Sequence, residues 1–187
     1  MSNFFEIDVG QICEDLIGNT LLFFRENGAS IRKKILSIIR GVPDTYICLN
    51  FERVTVIDFS CSDEIVVMLQ ENVSLLEGKI LFLRNLTKSH MENIVSALDN
   101  KKQVVWYFNG EGFTLLGSKL PKYLKDILEK VNSRKRVYAR QIADELNEEI
   151  QSVSLKLKQL FKHGIVRREE EISTEGKQFA YISVPNI

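Results

Sequence analysis

The first 108 residues alternate two hydrophobic patterns. Short apolar or β-branched runs predict strands, because a buried or half-buried strand is apolar over four to eight residues. These runs cover residues 3–9, 20–24, 45–51, 54–58, 79–83 and 103–108. Apolar residues three or four positions apart predict helices over 28–39, 64–78 and 87–100. Alternating strands and helices favour an α/β sheet domain, which we assign to residues 1–117.

The pattern changes in the next segment. Residues 109–123 contain three glycines and a proline, and this composition predicts a linker between two domains. After it, helical spacing predicts helices over 122–133, 139–146 and 150–164. Two predicted strands follow, at 165–172 and 178–184, joined by a hairpin with Gly176 at its tip. The second domain is therefore expected to be a small α+β unit over residues 118–187.

Charge separates the two parts as well. Residues 1–118 contain 11 Lys and Arg against 15 Asp and Glu, a net charge of −4. Residues 119–187 contain 14 against 10, a net charge of +4. A basic part beside an acidic one suggests different roles, with the basic part the candidate for binding a polyanion.

Other features narrow the class of protein. The N-terminus carries acidic residues where a signal peptide would be basic, and no apolar run approaches the roughly 20 residues needed to span a bilayer. Cys13, Cys48 and Cys61 are too widely spaced to form a metal-binding pair, and they predict free thiols in a reducing cytosol. We therefore expect a cytoplasmic protein with no membrane association, no metal and no cofactor.

The order of elements in the second part has a known counterpart. Three helices followed by a two-stranded hairpin, with the residues "QIADELNEEIQSVSLKLKQLFKHGIVRRE", resemble the winged helix-turn-helix domain of bacterial regulators. The resemblance covers residues 122–185. It implies that the third helix enters the major groove of double-stranded DNA and that the hairpin is the wing.

The residue types on the third helix are compatible with that role. Val153, Leu157, Leu160 and Phe161 share one face, which must pack inward. Glutamine, serine and lysine on the opposite face can contact base edges or phosphates, and arginines flank the helix. The candidate DNA-binding residues are Arg140, Gln151, Ser152, Leu155, Lys158, Gln159, Lys162, Arg167, Arg168 and Lys177.

An alternative stays open at this point. Glu148 and Glu149 precede the third helix, and residues 169–171 are three glutamates on the first wing strand. These carboxylates would repel a duplex, and Leu155 on the outer face would suit a protein interface equally well. The second hypothesis is therefore a protein-interaction adaptor that does not bind DNA.

The sequence "VTVIDFSCSDE", residues 54–64, ends a predicted strand in small polar side chains. It suggests a nucleophile, a phosphorylation switch or a helix cap. A nucleophile needs a base within hydrogen-bond reach, and no histidine is near Ser60 or Cys61 in sequence. We therefore expect that Ser62 or Asp63 caps a helix beginning near Glu64, whose acidic first turn complements the helix dipole.

The surrounding segment also has a known counterpart. "ICLNFERVTVIDFSCSDEIVVML" resembles the STAS and STAS-like domains of anti-sigma factor antagonists, over residues 1–117. In that family the loop docks a regulatory protein, and the serine directly after the aspartate is phosphorylated in switchable members. Here Phe59 occupies that position, so the resemblance implies docking without a phosphorylation switch. The candidate partner-docking residues are Asp58, Phe59, Ser60, Cys61, Ser62 and Asp63.

Together these observations predict a non-enzymatic cytoplasmic transcription regulator. The STAS-like α/β domain would bind a regulatory protein, and the winged helix would bind double-stranded DNA, with a homodimer as the expected assembly. The alternative is an adaptor in a partner-switching pathway without DNA binding. Binding to a random duplex at two salt concentrations discriminates between them.

Overall fold

A computed structural model of the protein describes residues 4–43, 45–73, 78–173 and 176–184. The elements of its first part follow one another as β1 (Phe5–Asp8), α1 (Val9–Ile17), β2 (Leu21–Leu22), α2 (Arg25–Arg40), β3 (Tyr46–Asn50), β4 (Val56–Ile57), α3 (Phe59–Ser62), a π-helical turn (Asp63–Val67), α4 (Met68–Val73), β5 (Ile80–Arg84), α5 (Lys88–Asn100), β6 (Val104–Phe108) and β7 (Phe113–Gly117). The architecture is mixed α/β, as predicted.

The central sheet has five strands in the order β1-β3-β5-β6-β7. The first four are parallel, and β7 pairs antiparallel with β6. Residues 113–117 were expected to lie in a linker; this prediction is wrong, because they form the fifth strand. A tight turn closed by the Asn109 N–H donating to the Gly112 carbonyl at 3.2 Å returns the chain to the sheet.

Two further predictions differ from the structure. The segments predicted as strands at 20–24 and 54–58 form only the short β2 and β4, which pair in parallel with each other outside the main sheet. Helix α1 was not predicted. It begins directly after β1, where the Asp8 carboxylate accepts a hydrogen bond from the Gln11 N–H at 2.9 Å and so caps the helix.

The parallel strands divide their side chains between two cores. On one face, Ile47, Leu49, Leu81, Leu83 and Val105 join a core formed with the helices of the first part. On the other face, the alternate residues Cys48, Ile80, Phe82, Val104 and Trp106 join a second core. Successive residues of a strand point to opposite faces, so a parallel sheet needs a cover on both.

The remaining residues supply the second cover. They form α6 (Lys122–Arg134), β8 (Arg136–Tyr138), α7 (Ala139–Leu146), α8 (Ile150–Lys162), β9 (Arg167–Ser173) and β10 (Gly176–Ile182). Their strands form a sheet in the order β8-β10-β9, with one strand more than the predicted hairpin. Two parts of the predicted elements lie outside the described residues: Leu76, near the end of the helix predicted over 64–78, and residues 174–175 of the predicted hairpin.

Hydrogen bonds fasten the second part to the first. The Trp106 indole N–H donates to the Ile165 carbonyl at 2.9 Å, and the Tyr46 hydroxyl donates to the Ser183 carbonyl at 2.9 Å. The Gln70 amide donates to the His163 carbonyl at 2.8 Å. Residues on both sides of the predicted domain boundary at 117/118 contribute to the second core. The division of the chain into two domains therefore stays a prediction.

Within the described residues, every helix is too short or too polar to pass through a bilayer.

Candidate functional site

Helix α8 presents the polar face that the sequence predicts. Val153, Leu157 and Leu160 are fully buried against the second core, and their spacing turns the opposite side to solvent. The exposed side chains there are Gln151, Leu155, Lys158, Gln159 and Lys162. Leu155 stands out because an apolar side chain 62% exposed in the middle of a polar face has no role in the core.

Glu148, which lies just before α8, contacts two side chains of the helix. The Ser152 hydroxyl donates to a Glu148 carboxylate oxygen at 3.2 Å, and Lys156 forms an ion pair with the same oxygen. The hydrogen bond from Lys156 holds the pKa of Glu148 below its ordinary value. Ser152 therefore already has an acceptor within the protein, whereas Gln151 and Lys158 face solvent.

The predicted wing arginines do not point outward. Arg167 is 15% exposed at its side chain; its guanidinium donates to the Thr45 hydroxyl at 3.1 Å and lies 5.5 Å from the centre of the Tyr46 ring. It also forms an ion pair with Glu169. Arg167 therefore links β9 to the residues at the start of β3 and does not occupy the expected DNA-facing position.

Arg168 is held in a similar way. Its guanidinium carbon lies 4.6 Å from the centre of the Phe161 ring and 4.4 Å from that of Phe179. A guanidinium between two aromatic faces is stabilised by cation–π attraction. Lys177, the third wing cation predicted, is exposed and pairs with Glu170 at 2.7 Å.

The glutamates of the wing also have partners. Glu169 and Glu171 both pair with Arg136 on β8, and the Tyr138 hydroxyl donates to Glu171 at 2.8 Å. Hydrogen bonds from Tyr138 and then Arg136 hold the pKa of Glu171 below its ordinary value. Sequence reasoning missed Arg136, although the spacing of Glu169 and Glu171 places both on one face of a strand and calls for a cation nearby.

A cavity of ≈ 300 Å³ lies where α7, α8 and β10 meet. It brings two predicted residues together, Arg140 at the start of α7 and Lys177 on β10. Ser154, Gln178 and Phe179 also line it, and none of these was predicted. The lining of this cavity therefore combines basic, polar and aromatic side chains.

At the other candidate site, the helix begins earlier than expected. Asp58, and not Ser62 or Asp63, is the cap: its carboxylate accepts hydrogen bonds from the Cys61 N–H at 2.7 Å and the Ser60 hydroxyl at 2.9 Å. Burial works to raise the pKa of Asp58, but these hydrogen bonds and one from the Phe24 N–H outweigh it and hold the pKa below its ordinary value. The loop thus carries a firmly ionised carboxylate.

Only half of the predicted docking residues reach the surface. Phe59 is exposed, and Asp58 and Ser60 are partly exposed. Cys61, Ser62 and Asp63 are buried, because the helix that starts at Phe59 turns them inward. Their expected place on a docking surface is therefore wrong.

Cys61 has the environment of a structural thiol. Its Sγ donates to the Phe24 carbonyl at 3.2 Å, and burial, with the nearby Asp58 charge, raises its pKa to about 12. A thiol nucleophile needs a low pKa and access to solvent. His90, the histidine considered as a base, is buried and its pKa is lowered by burial.

Sequence reasoning missed an aromatic surface beside this loop. Phe24 is 74% exposed, and its backbone is tied to α3 by the Asp58 carboxylate at 3.1 Å. Its φ of 72° lies in a region that side chains with a Cβ seldom adopt. Phe23 and Phe59 are also exposed. Phe23 and Phe24 end a segment that the sequence predicts as an apolar strand, and that prediction gives no indication that both rings are exposed.

The π-helical turn that follows α3 begins with two buried acidic residues, Asp63 and Glu64. Glu64 pairs with Arg25 at 2.8 Å and with Arg32 at 3.0 Å, and Asp63 pairs with Arg25 at 2.8 Å. The Asp63 Oδ1 has no hydrogen-bond partner among the described residues. These ion pairs fix α2 against the π-helical turn.

The described residues contain no group of three or more His, Cys, Asp and Glu side chains arranged to hold a metal ion. Comparison of the chain with models of known families, with curated proteins and with solved structures gave no match.

Proposed function

We propose that the protein is a non-enzymatic regulator whose helix α8 binds double-stranded DNA under the control of a partner that docks at Asp58, Phe59 and Ser60. The observation that carries the proposal is the outer face of α8, where Gln151, Lys158 and Lys162 project into solvent. Glutamine reads adenine edges and lysine contacts guanine or phosphate, so this face has the chemistry for duplex recognition.

Charge pairing supports one part of this proposal. Each of the three glutamates on β9 has a cationic partner: Arg136 pairs with Glu169 and Glu171, Arg167 also pairs with Glu169, and Lys177 pairs with Glu170. They therefore repel a duplex less than their sequence suggests. Lys158 and Lys162 have no ion pair among the described residues. They are therefore the cations most able to exchange counterions for phosphates.

The test is fluorescence anisotropy of the full chain on a labelled random duplex at two salt concentrations. The variant Lys158→Glu/Lys162→Glu should lose binding, because it places two negative charges against phosphate. Wild-type affinity should fall steeply with salt, and each phosphate contact contributes about 0.9 to the slope of log K against log salt. Lys88→Glu/Lys101→Glu is a matched control, since it changes the net charge equally at two exposed positions, the first residue of α5 and the residue directly after its end, and should retain more binding.

The second candidate function is that of a protein-interaction adaptor. Two exposed apolar side chains favour it: Leu155 on α8, and Ile172 on the wing, which is 90% exposed. Arg167 and Arg168, moreover, are committed to contacts within the protein. Under this hypothesis wild-type protein would bind no duplex even at low salt, and Leu155→Asp would abolish a protein complex that Lys158→Glu leaves intact.

The docking half of the proposal rests on the STAS-like resemblance and on the exposed aromatic residues beside the loop. Phe23, Phe24 and Phe59 offer apolar area next to the ionised Asp58. A phosphate on Ser60 would lie beside that carboxylate, which accepts the Ser60 hydroxyl at 2.9 Å, and like charges would oppose it. We therefore propose docking that does not depend on phosphorylation.

A further inference from the structure

Helix α3, the π-helical turn and helix α4 form one continuous helix over residues 59–73. The backbone stays in the right-handed helical region at both junctions, Asp63 and Met68. This helix begins in the proposed docking loop, since Phe59 is its first residue. Gln70 lies near its other end, about 16 Å further along at 1.5 Å per residue.

Gln70 contacts the end of α8. It is 2% exposed, and its amide donates to the His163 carbonyl at 2.8 Å and to the Val104 carbonyl at 3.4 Å. His163 is the C-terminal cap of α8 and follows Lys162 directly. An added Cβ at Gly164 would lie 2.6 Å from the Gln70 amide nitrogen, so no space separates these two residues. The helix over 59–73 therefore connects the docking loop to the end of α8 through the side chain of Gln70.

Residues 163–165 join α8 to the wing, and the first part of the chain supplies two buried donors to them. The Gln70 amide donates to the His163 carbonyl, and the Trp106 indole donates to the Ile165 carbonyl at 2.9 Å. Trp106 belongs to the central sheet, whereas Gln70 belongs to the helix that begins at the docking loop. Of the two donors, Gln70 is therefore the one that a change at the docking loop reaches along a helix.

The middle of this helix is held against α2. Glu64 pairs with Arg25 at 2.8 Å and with Arg32 at 3.0 Å. A helix that is held at its middle cannot move as a whole relative to α2. A displacement of its first turn therefore tilts the helix and displaces Gln70 as well.

We propose that Gln70 is a positioning residue for α8, and that a partner docked at Asp58, Phe59 and Ser60 acts on α8 through it. The inference rests on the proposed function, since it takes these three residues as the docking site and α8 as the binding helix. Leaving the buried Gln70 amide unpaired would be costly. The end of α8 should therefore follow a movement of the helix.

The test is amide hydrogen exchange of the full chain, measured by NMR with neither DNA nor a partner present. Phe59→Ala changes the docking loop, because the ring is 38% exposed and the rest of it packs at the start of the helix. The amides of Gly164 and Ile165, which donate to carbonyls of α8, should then exchange at least about twofold faster, the lower end of the coupling found between distant sites. Amides of α6, which belongs to the same core, are the reference and should not change.

Two further backgrounds show whether Gln70 carries the effect. Gln70→Met keeps the length of the side chain but removes the donor, so the same two amides should exchange roughly fivefold faster than in the wild type. Adding Phe59→Ala to it should change them no further. Tyr46→Phe is the matched control, because it removes another hydrogen bond between the two parts, from the Tyr46 hydroxyl to the Ser183 carbonyl at 2.9 Å. In that background Phe59→Ala should act as it does in the wild type.

The coupling is also measurable in the opposite direction, because coupling between two sites at equilibrium is reciprocal. Gly164→Ala keeps Gln70 but pushes against its amide nitrogen. The amides of Cys61 and Ser62, which donate to Asp58, should then exchange at least about twofold faster. This variant tests the proposal even if Gln70→Met does not fold.

The proposal is overturned if Phe59→Ala leaves Gly164 and Ile165 unchanged, or if Gly164→Ala leaves Cys61 and Ser62 unchanged. It is also overturned if the effect of Phe59→Ala keeps its full size in Gln70→Met, or disappears in Tyr46→Phe as well, since the coupling would then not pass through Gln70 in particular. Undetectable duplex binding in the anisotropy test would refute the proposed function and leave these exchange rates as they are, so the two failures are distinguishable.

Discussion

The shared second core makes Trp106 the most informative residue to change. Its side chain is 3% exposed, and its indole N–H donates to the Ile165 carbonyl across the two parts of the chain. The substitution Trp106→Phe keeps an aromatic ring but removes this donor. An unpaired buried carbonyl costs about 1–3 kcal/mol. The smaller ring adds about 1 kcal/mol for lost contacts.

We therefore expect Trp106→Phe to lower the free energy of unfolding by roughly 2–4 kcal/mol, the sum of the two effects. The measurement is urea denaturation followed by far-ultraviolet circular dichroism. Tyr107→Phe is the control, because Tyr107 belongs to the same strand but packs on the first core; it should change the free energy by less than about 0.5 kcal/mol.

The wild type provides a second measurement. Trp106 is the single tryptophan, so its fluorescence reports on the second core alone, whereas circular dichroism reports on every element. If the two parts share a core, the two transitions should coincide. A variant that loses less than about 1 kcal/mol, or a wild type in which fluorescence changes before most of the dichroism, would refute this reasoning.

Two other substitutions, Asp58→Ala and Gly117→Ala, test local features by urea denaturation, with Gly112→Ala as the control for the second. Asp58→Ala should lower the free energy of unfolding by about 1–2 kcal/mol, because it removes the cap of α3. The folded-state pKa of Asp58 is depressed, so its contribution is present above the unfolded pKa and is lost as the pH falls through the folded pKa; the difference between wild type and variant should shrink in acid. Gly117→Ala should cost about 2 kcal/mol or more, because the residue has a φ of 95° and an added Cβ would lie 2.5 Å from the Gln103 carbonyl oxygen. Gly112→Ala, where nothing lies within 4 Å, should change stability by less than about 0.5 kcal/mol.

The sequence predicted best where a local pattern decides the structure. Helix α5 covers residues 88–100, against the predicted 87–100, and its first residue follows Thr87, whose hydroxyl accepts from the His90 N–H at 3.2 Å. Helix α7 covers residues 139–146 as predicted, and Ile142 and Ala143 face inward. In α5 the cap and the apolar stripe agree, and in α7 the apolar stripe alone indicates the helix.

It failed where tertiary pairing decides. The apolar residues of β7 lie between glycines, a composition that resembles a linker, and the segment is a strand because it pairs with the neighbouring β6. The run "VTVID" has strand composition throughout, yet only Val56 and Ile57 find a partner strand. A β-branched run shows that a segment can be a strand, but it does not identify its neighbour.

The candidate sites show the same contrast. The outer face of α8 followed from periodicity alone, because its buried face is local. Arg167 and Arg168 could not be placed in that way, since the rings that they contact belong to three other elements: Tyr46 to β3, Phe161 to α8 and Phe179 to β10. Their charge suggested a polyanion, whereas the aromatic rings that they contact give them a structural role.

The alternation of the sheet between two cores has a consequence for synthesis of the chain. The strands that contribute Cys48, Phe82 and Trp106 leave the ribosome before the helices that cover them. At about 5–20 residues per second, residues 118–187, which contain the second cover, take roughly 4–14 s to make. During that interval one side of the nascent sheet has no cover, so newly made chains on a polysome are far more prone to coaggregate than the finished protein.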